Sequence, residues 1–511
     1  MRALELGSRG VDAVDVVAVA REETPVALSA AARQAMERSA AVVAQPGDAH
    51  EPAYGISTGF GSLALVQIPV ERREQLQRAL VRSHAAGMGP PVEREVVRAM
   101  MLLRARSLAM GFSGARAQVA EQLLALLNAG LTPVVPEHGS LGASGDLAPL
   151  AHCALALVGE GFVQTRDGVS LSAAEALRSS GIAPLVLGPK EGLALINGTD
   201  GMLGMLVLAC FDLAALLRIA DISAAMSVEA LLGTDRAFAA DLLALRPLRG
   251  QALSGANLRA LLRDSEIVAS HRYDDPRVQD AYSLRCAPQV AGAARDALSF
   301  ASELAESELR SAIDNPMVLP DGRVESCGNF HGAPVACACD FLAIAVAQLG
   351  AIAERRTDRL LDASRSQGLP PFLAHDPGVD SGLMLAQYAQ AAMVAENRRL
   401  AAPASVDSIP TSAMQEDHVS MGWGAARKLR TAVANLRRIL AVELVCAARA
   451  LELRAPLAPA PGTGAALRAL RSCVPGAGAD RFLSPELAAA EELLRSGALL
   501  TAVSQAVGEL Q

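Results

Sequence analysis

Residues 425–455 read AARKLRTAVANLRRILAVELVCAARALELRA, with neither glycine nor proline between Gly424 and Pro456. Within this run Leu429, Val433, Leu436, Leu440 and Leu444 recur at spacings of three and four, the repeat of one helical face, while Arg427, Arg430, Arg437 and Arg438 fall off that stripe. A helix of roughly 30 residues is about 45 Å long at ~1.5 Å per residue, longer than a small domain is wide, so it calls for an extended bundle. Residues 340–361 repeat the pattern: Leu342, Val346, Leu349 and Ile352 share a face, and Glu354, Arg355, Arg356 and Asp358 crowd the far end. The first 200 residues are instead punctuated by Gly and Pro around short helical runs such as 96–110, entered after Pro90 and Pro91 and closed by Gly111. These patterns predict a mostly α protein, an elongated bundle of long helices with a smaller loop-rich N-terminal domain. The expected divisions are 1–200, a central long-helix bundle over 201–455, and a helical C-terminal cap over 456–511, reached through a Pro/Ala/Gly linker at 455–464.

Composition agrees. The 511 residues are 51% hydrophobic but only 3% aromatic, and a chain rich in Ala and Leu favours close-packed helices over strands. A net charge of −8 with both signs interspersed leaves no electrostatic footprint for nucleic acid or an anionic membrane. The opening ten residues lack the apolar core of an export signal, so a cytoplasmic location is expected. Residues 201–220 are apolar but contain Asp212 and Arg218, which suits a buried core helix better than a membrane span. The eight cysteines form no CxxC pair and read as reduced thiols; Cys337 and Cys339 point to different helix faces, and the eight histidines include no HExxH, so no metal is expected. Lys190 and Lys428 are the only lysines among 46 basic residues, leaving a Schiff-base mechanism two candidate amines and a P-loop none.

Residues 139–146, GSLGASGD, carry three glycines and precede a helical pattern with Leu147, Leu150, Ala154 and Leu157 on one face. Spacing alone leaves two readings open: a chemically specialised tight loop, or a flexible connector with Asp146 as the helix N-cap. A nucleophile elbow is excluded because Asp146 stands where GxSxG needs glycine, and Gly59, Gly61 and Ala64 lack the strand of a dinucleotide fingerprint. Residues 142–150, GASGDLAPL, resemble the segment of the histidine, phenylalanine and tyrosine ammonia-lyases in which Ala, Ser and Gly cyclise into 4-methylidene-imidazol-5-one. The resemblance implies that Ala143, Ser144 and Gly145 form this electrophile here, on the N-terminal domain, without pyridoxal phosphate or metal. Glycine suits the third position because its backbone nitrogen must bend back onto the Ala143 carbonyl. A helix starting near Asp146 is expected to favour negative charge on the ring carbonyl.

Further blocks carry the same resemblance along essentially the whole chain, thinning after about residue 460. YGISTGFG at 54–61 is similar to the family's tyrosine loop and implies Tyr54 as general base. SHAAG at 83–87 resembles the histidine-specific branch and implies His84 beside the substrate ring. KEGLALINGT at 190–199 implies Asn197 as a partner of prosthetic ring and substrate, with Lys190 structural. VQDAYSLRC at 278–286 implies Arg285 as the carboxylate clamp, Tyr282 beside the electrophile and Gln279 supporting both; an arginine fork matches a planar carboxylate. GNFH at 328–331 implies Phe330 near the electrophile. PASVDSIPTSAMQEDHVSM at 403–421 resembles the histidine branch over its length and implies Glu416 as the carboxylate facing the imidazole. The implied reaction is non-oxidative deamination of L-histidine to trans-urocanate and ammonia, in a homotetramer whose sites draw on more than one subunit. Ser57, Asp200, Ala287 and Met414 depart from the commonest family pattern. The rivals are an aryl ammonia-lyase or aminomutase, a lyase of the fumarase and aspartase type, whose Gly-Ser-Ser loop is not found, and a helical scaffold without catalysis.

Overall fold

The computed structural model describes residues 3–7, 10–44, 54–273 and 275–511; residues 1, 2, 8 and 9 of the opening decad lie outside them. The fold is mostly helical, as expected. Most of the glycine- and proline-free run lies in the helix Gly422–Glu452, of 31 residues, and its stripe is buried: Leu429, Leu436, Leu440 and Leu444 are fully inaccessible and Val433 nearly so. The off-stripe arginines pair with acids, Arg430 with Asp212 at 3.1 Å and Arg427 with Glu137 at 3.0 Å. Glu443, on the same helix and fully buried, accepts hydrogen bonds from Ser223, Ser227 and Arg356 at 2.8, 2.8 and 2.9 Å, which satisfies a carboxylate that would otherwise be costly to bury.

Three other helices are comparably long: Asp200–Ala230, Ala287–Glu308 and Ala333–Leu361. The last begins seven residues before the expected 340, with Pro334 in its first turn, where a missing N–H does no harm. Two segments, Glu191–Ala230 and Ala333–Leu361, are long and apolar enough to cross a membrane by length and composition, yet 72% and 61% of their most apolar windows are buried within the protein. Strands are short and paired in small sheets, Leu4–Leu6 with Val26–Leu28 in parallel and Met88–Pro91 with Pro136–His138 antiparallel among them.

Contacts divide the chain into two compact units: residues 1–209, 301–340 and 403–427 form one, and 210–300, 341–402 and 428–511 the other. Each of the four long helices belongs in part to both, so these units do not coincide with consecutive blocks ending at 200 and 455. The first unit contains the helix Arg94–Ala109, buried from Val96 to Ala109 with Arg98, Arg104 and Arg106 inside it. Lys190 is also fully buried there and donates to the Ser113 carbonyl and to Asp314, each at 2.8 Å; burial holds its ammonium pKa below the ordinary value, against the pull of Asp314.

In the second unit the 455–464 stretch is not simply a linker, because the helix Pro461–Arg471 starts inside it with Pro461 in its first turn. Gly462 lies in that helix because a Cβ there would meet Val507 at 3.0 Å and Leu261 at 3.2 Å. The missing side chain permits close packing.

Candidate active site

Gly142 and Gly145 face each other across an antiparallel bridge, which turns the chain tightly through Ala143 and Ser144. Both glycines have left-handed backbones, φ 66° and 76°. A Cβ on Gly145 would overlap the Gly198 carbonyl, and one on Gly142 the Ser420 hydroxyl. Gly145→Ala is therefore expected to destabilise the fold by more than the ~1–2 kcal/mol of a left-handed L-residue, read as a lowered midpoint of chemical denaturation. An unchanged midpoint would mean the turn is not held as described.

Asp146 takes the N-cap position of the helix Leu147–Leu157, but its side chain does not cap that helix. It is buried and accepts from the Ser140 hydroxyl at 2.9 Å and from the Gly201 and Met202 amides at 3.0 and 2.9 Å, so it caps the start of the helix Asp200–Ala230 instead. Burial raises its pKa to about 7, opposed by those donors. The Asp146 amide is itself given to Gly198 O at 2.7 Å, and Pro149 has no amide.

Ser144 opens into a cavity of about 560 Å³ whose lining also includes Tyr54, His84, Asn197 and Glu416. That volume suits a small-molecule site. The Tyr54 hydroxyl accepts the Gly61 amide at 3.0 Å, and its ring meets Phe60 edge-on at 6.2 Å. Burial raises the phenol pKa above its ordinary value and the nearby Glu416 adds to this, while the Gly61 donor opposes both. His84 ends the helix Arg73–His84, with Nδ1 3.0 Å from the Leu80 carbonyl. That contact places the proton on Nδ1 and leaves Nε2 as an acceptor. Burial lowers the His84 pKa, so the ring is neutral near pH 7.

Glu416 is fixed by the Thr411 hydroxyl, which donates to it at 2.8 Å, and by backbone pairing with Thr411. Ser412, Ala413 and Met414 between them are all left-handed, φ 51°, 51° and 73°. Methionine is not a residue that favours that conformation, so Met414 adds strain beside Glu416. Ser412 Oγ in turn accepts the Ser62 amide at 3.2 Å, tying this loop to the tyrosine loop. Asn197 follows the helix Glu191–Ile196; its amide donates to Asn315 O at 2.7 Å, and its buried Oδ1 has no partner.

Not every expected residue gathers here. Phe330 is half-buried and is not among the cavity's lining. Gln279, Tyr282 and Arg285 line a different cavity, of about 340 Å³, in the second unit. There Arg285 Nε donates to Asp280 O at 2.9 Å, and its guanidinium lies 4.6 Å from the centre of the Tyr282 ring. Tyr282 is 72% exposed, high for an aromatic residue.

Sequence reading missed the supports. Gln77, fully buried, donates to Gly55 O at 3.2 Å and accepts the Leu193 amide at 3.1 Å, joining the tyrosine loop to the helix before Asn197. Nothing in its local pattern marks it. Thr411 and Ser412 lie inside the 403–421 block, where their hydroxyls were legible but not their direction.

Residues 11–472 match the model of the family described as aromatic amino acid lyase. The chain belongs to this family. Among aromatic amino acid lyases, it is 60% identical to the histidine ammonia-lyases of Streptomyces avermitilis and Streptomyces coelicolor, each comparison covering 100% of both chains. Solved structures of the same fold include a tyrosine aminomutase from Streptomyces globisporus, 38% identical with TM-score 0.94 over 100% of both chains. Another is a histidine ammonia-lyase from Trypanosoma cruzi, 38% identical with TM-score 0.91, covering 99% of this chain and 96% of that one. A tyrosine aminomutase and a histidine ammonia-lyase thus share this fold almost equally, so the fold does not choose between their substrates.

Proposed function

We propose that this chain deaminates L-histidine to trans-urocanate and ammonia, using a 4-methylidene-imidazol-5-one made from Ala143, Ser144 and Gly145. One observation carries the reading: Tyr54, His84, Ser144, Asn197 and Glu416, scattered over more than 360 positions, line one cavity. The residues fit such a group. The glycine pair turns the backbone on itself, the Gly198 carbonyl leaves no room for a side chain at 145, and the unpartnered Asn197 Oδ1 offers an acceptor beside Ser144. Ring closure joins the Gly145 nitrogen to the Ala143 carbonyl carbon; one water takes that carbonyl oxygen with the amide hydrogens of Ser144 and Gly145. A second water takes the Ser144 hydroxyl with its Cα hydrogen.

Once formed, the ring supplies an electrophilic carbon that turns the amine into a leaving group. The chain's own side chains do the rest. The Glu416 carboxylate accepts the imidazole N–H, and neutral His84 stands beside the substrate ring. Tyr54 removes the β-proton, and a cationic ammonium in the cavity offsets the burial and the Glu416 charge that keep its phenol protonated. Arg285 takes the substrate carboxylate, Tyr282 and Phe330 stand near the electrophile, and Gln279 supports Arg285 and Tyr282; we assign these to sites completed between subunits of a homotetramer. The location is cytoplasmic.

Intact mass tests the first half: the purified chain should lack two waters relative to its sequence, and a full-mass chain would refute the ring. Urocanate absorbance after adding histidine, against cinnamate or coumarate absorbance after phenylalanine or tyrosine, tests the second. Glu416→Ala is expected to lower kcat/KM for histidine by about 10- to 100-fold, the value of a hydrogen bond to a charged group, with little change on a trace aryl substrate. Equal losses on both would mean Glu416 does not read the imidazole.

A further inference from the structure

Arg104 is 1% exposed and lies in the apolar helix Arg94–Ala109, with three partners around it. Its Nη1 donates to Asn197 O at 2.9 Å and its Nη2 to Ile313 O at 2.7 Å. Its Nε lies 3.3 Å from Asp200 Oδ2, an ionic contact without the alignment of a hydrogen bond, and Asp200 is equally buried. Ile313 precedes by two residues the Asn315 whose carbonyl receives the Asn197 side chain. Gly198, next to Asn197, receives the Asp146 amide with its carbonyl, and a Cβ on it would overlap both Arg104 and Asp200. One guanidinium therefore ties down both turns that aim Asn197, and the segment that Gly145 and Asp146 lean on.

We propose that Arg104, held by Asp200, is a positioning residue that sets Asn197 and the backing of the Ala143–Gly145 turn, so that both ring closure and turnover depend on its fork. The inference rests on the proposed function. A lysine keeps the charge that balances Asp200, but its single nitrogen cannot hold two carbonyls in fixed directions.

The same helix supplies a control. Arg98, also 1% exposed, donates to Val19 O at 2.9 Å and to Leu127 O at 3.1 Å and contacts none of the cavity residues. Arg98→Lys and Arg104→Lys thus remove comparable buried forks, one remote from the cavity and one behind it. Each variant, with Asp200→Asn, is purified, weighed intact, melted and assayed with histidine, and kcat is expressed per cyclised chain.

Both lysine variants should melt earlier. Arg98→Lys should lose two waters completely and keep kcat within twofold. Arg104→Lys should retain a full-mass fraction and lose at least tenfold in kcat per cyclised chain, with KM changed less; Asp200→Asn should fall between. The proposal is overturned if Arg104→Lys cyclises completely with kcat within twofold, or matches Arg98→Lys in every readout. If Arg104→Lys yields no folded protein, Asp200→Asn decides: complete cyclisation with unchanged kcat overturns the proposal. A wild-type chain of full mass would instead refute the ring itself, so the two failures are distinguishable.

Discussion

Ser144→Ala is expected to abolish histidine turnover, by at least about 10³-fold or ~4 kcal/mol of barrier, while the chain keeps its fold. Ser144 is half-buried and faces the cavity, so exchanging its hydroxyl for hydrogen leaves no gap in a packed core. The expected products are a chain of full mass, a melting curve close to wild type and no urocanate. Residual turnover within tenfold would mean that the Ser144 hydroxyl is not the source of the electrophile.

The second large effect is expected at Tyr54. Tyr54→Phe should lower kcat by roughly 10²- to 10⁴-fold, the usual contribution of a positioned general base, without preventing the loss of two waters. The ring contact with Phe60 survives the change, and only the acceptor for the Gly61 amide is lost. The pH dependence separates this from a merely structural loss. The phenol pKa is raised, by burial first, so the free chain holds Tyr54 protonated at neutral pH. Wild-type kcat/KM should therefore climb with pH on the alkaline side as the base form is populated, and the Tyr54→Phe variant should lose that climb. On the acid side, the lowered His84 pKa keeps its ring neutral until pH falls below the ordinary histidine value. A variant that kept the alkaline limb would remove Tyr54 from the role of base.

The long helices were legible because their evidence is local: a leucine every three or four residues, uninterrupted by glycine or proline, has few other readings. Glycine was harder to interpret. Gly462 looks like a breaker in sequence but serves close packing against Val507 and Leu261, a cause hundreds of positions away from one partner. Asp146 is a fair N-cap by position, yet its carboxylate caps the helix beginning at Asp200, which spacing along one segment does not reveal. Tyr54, His84, Ser144, Asn197 and Glu416 stand out in their motifs and line one cavity, whereas the residues that brace them do not stand out. Gln77 and Arg104 hold backbone carbonyls and amides of distant turns, the Asn315 carbonyl takes the Asn197 side chain, and that work leaves no signature in their own neighbourhoods. Gln279, Tyr282 and Arg285 show the opposite limit: their motif is clear, but one chain places them around a cavity of their own.

The burial of Lys190 has a practical side. With its ammonium sealed between Ser113 and Asp314 and only Lys428 partly accessible, reagents that acylate amines find a single lysine to attack in the folded protein. Coupling through a lysine side chain would thus attach each chain at the one position 428.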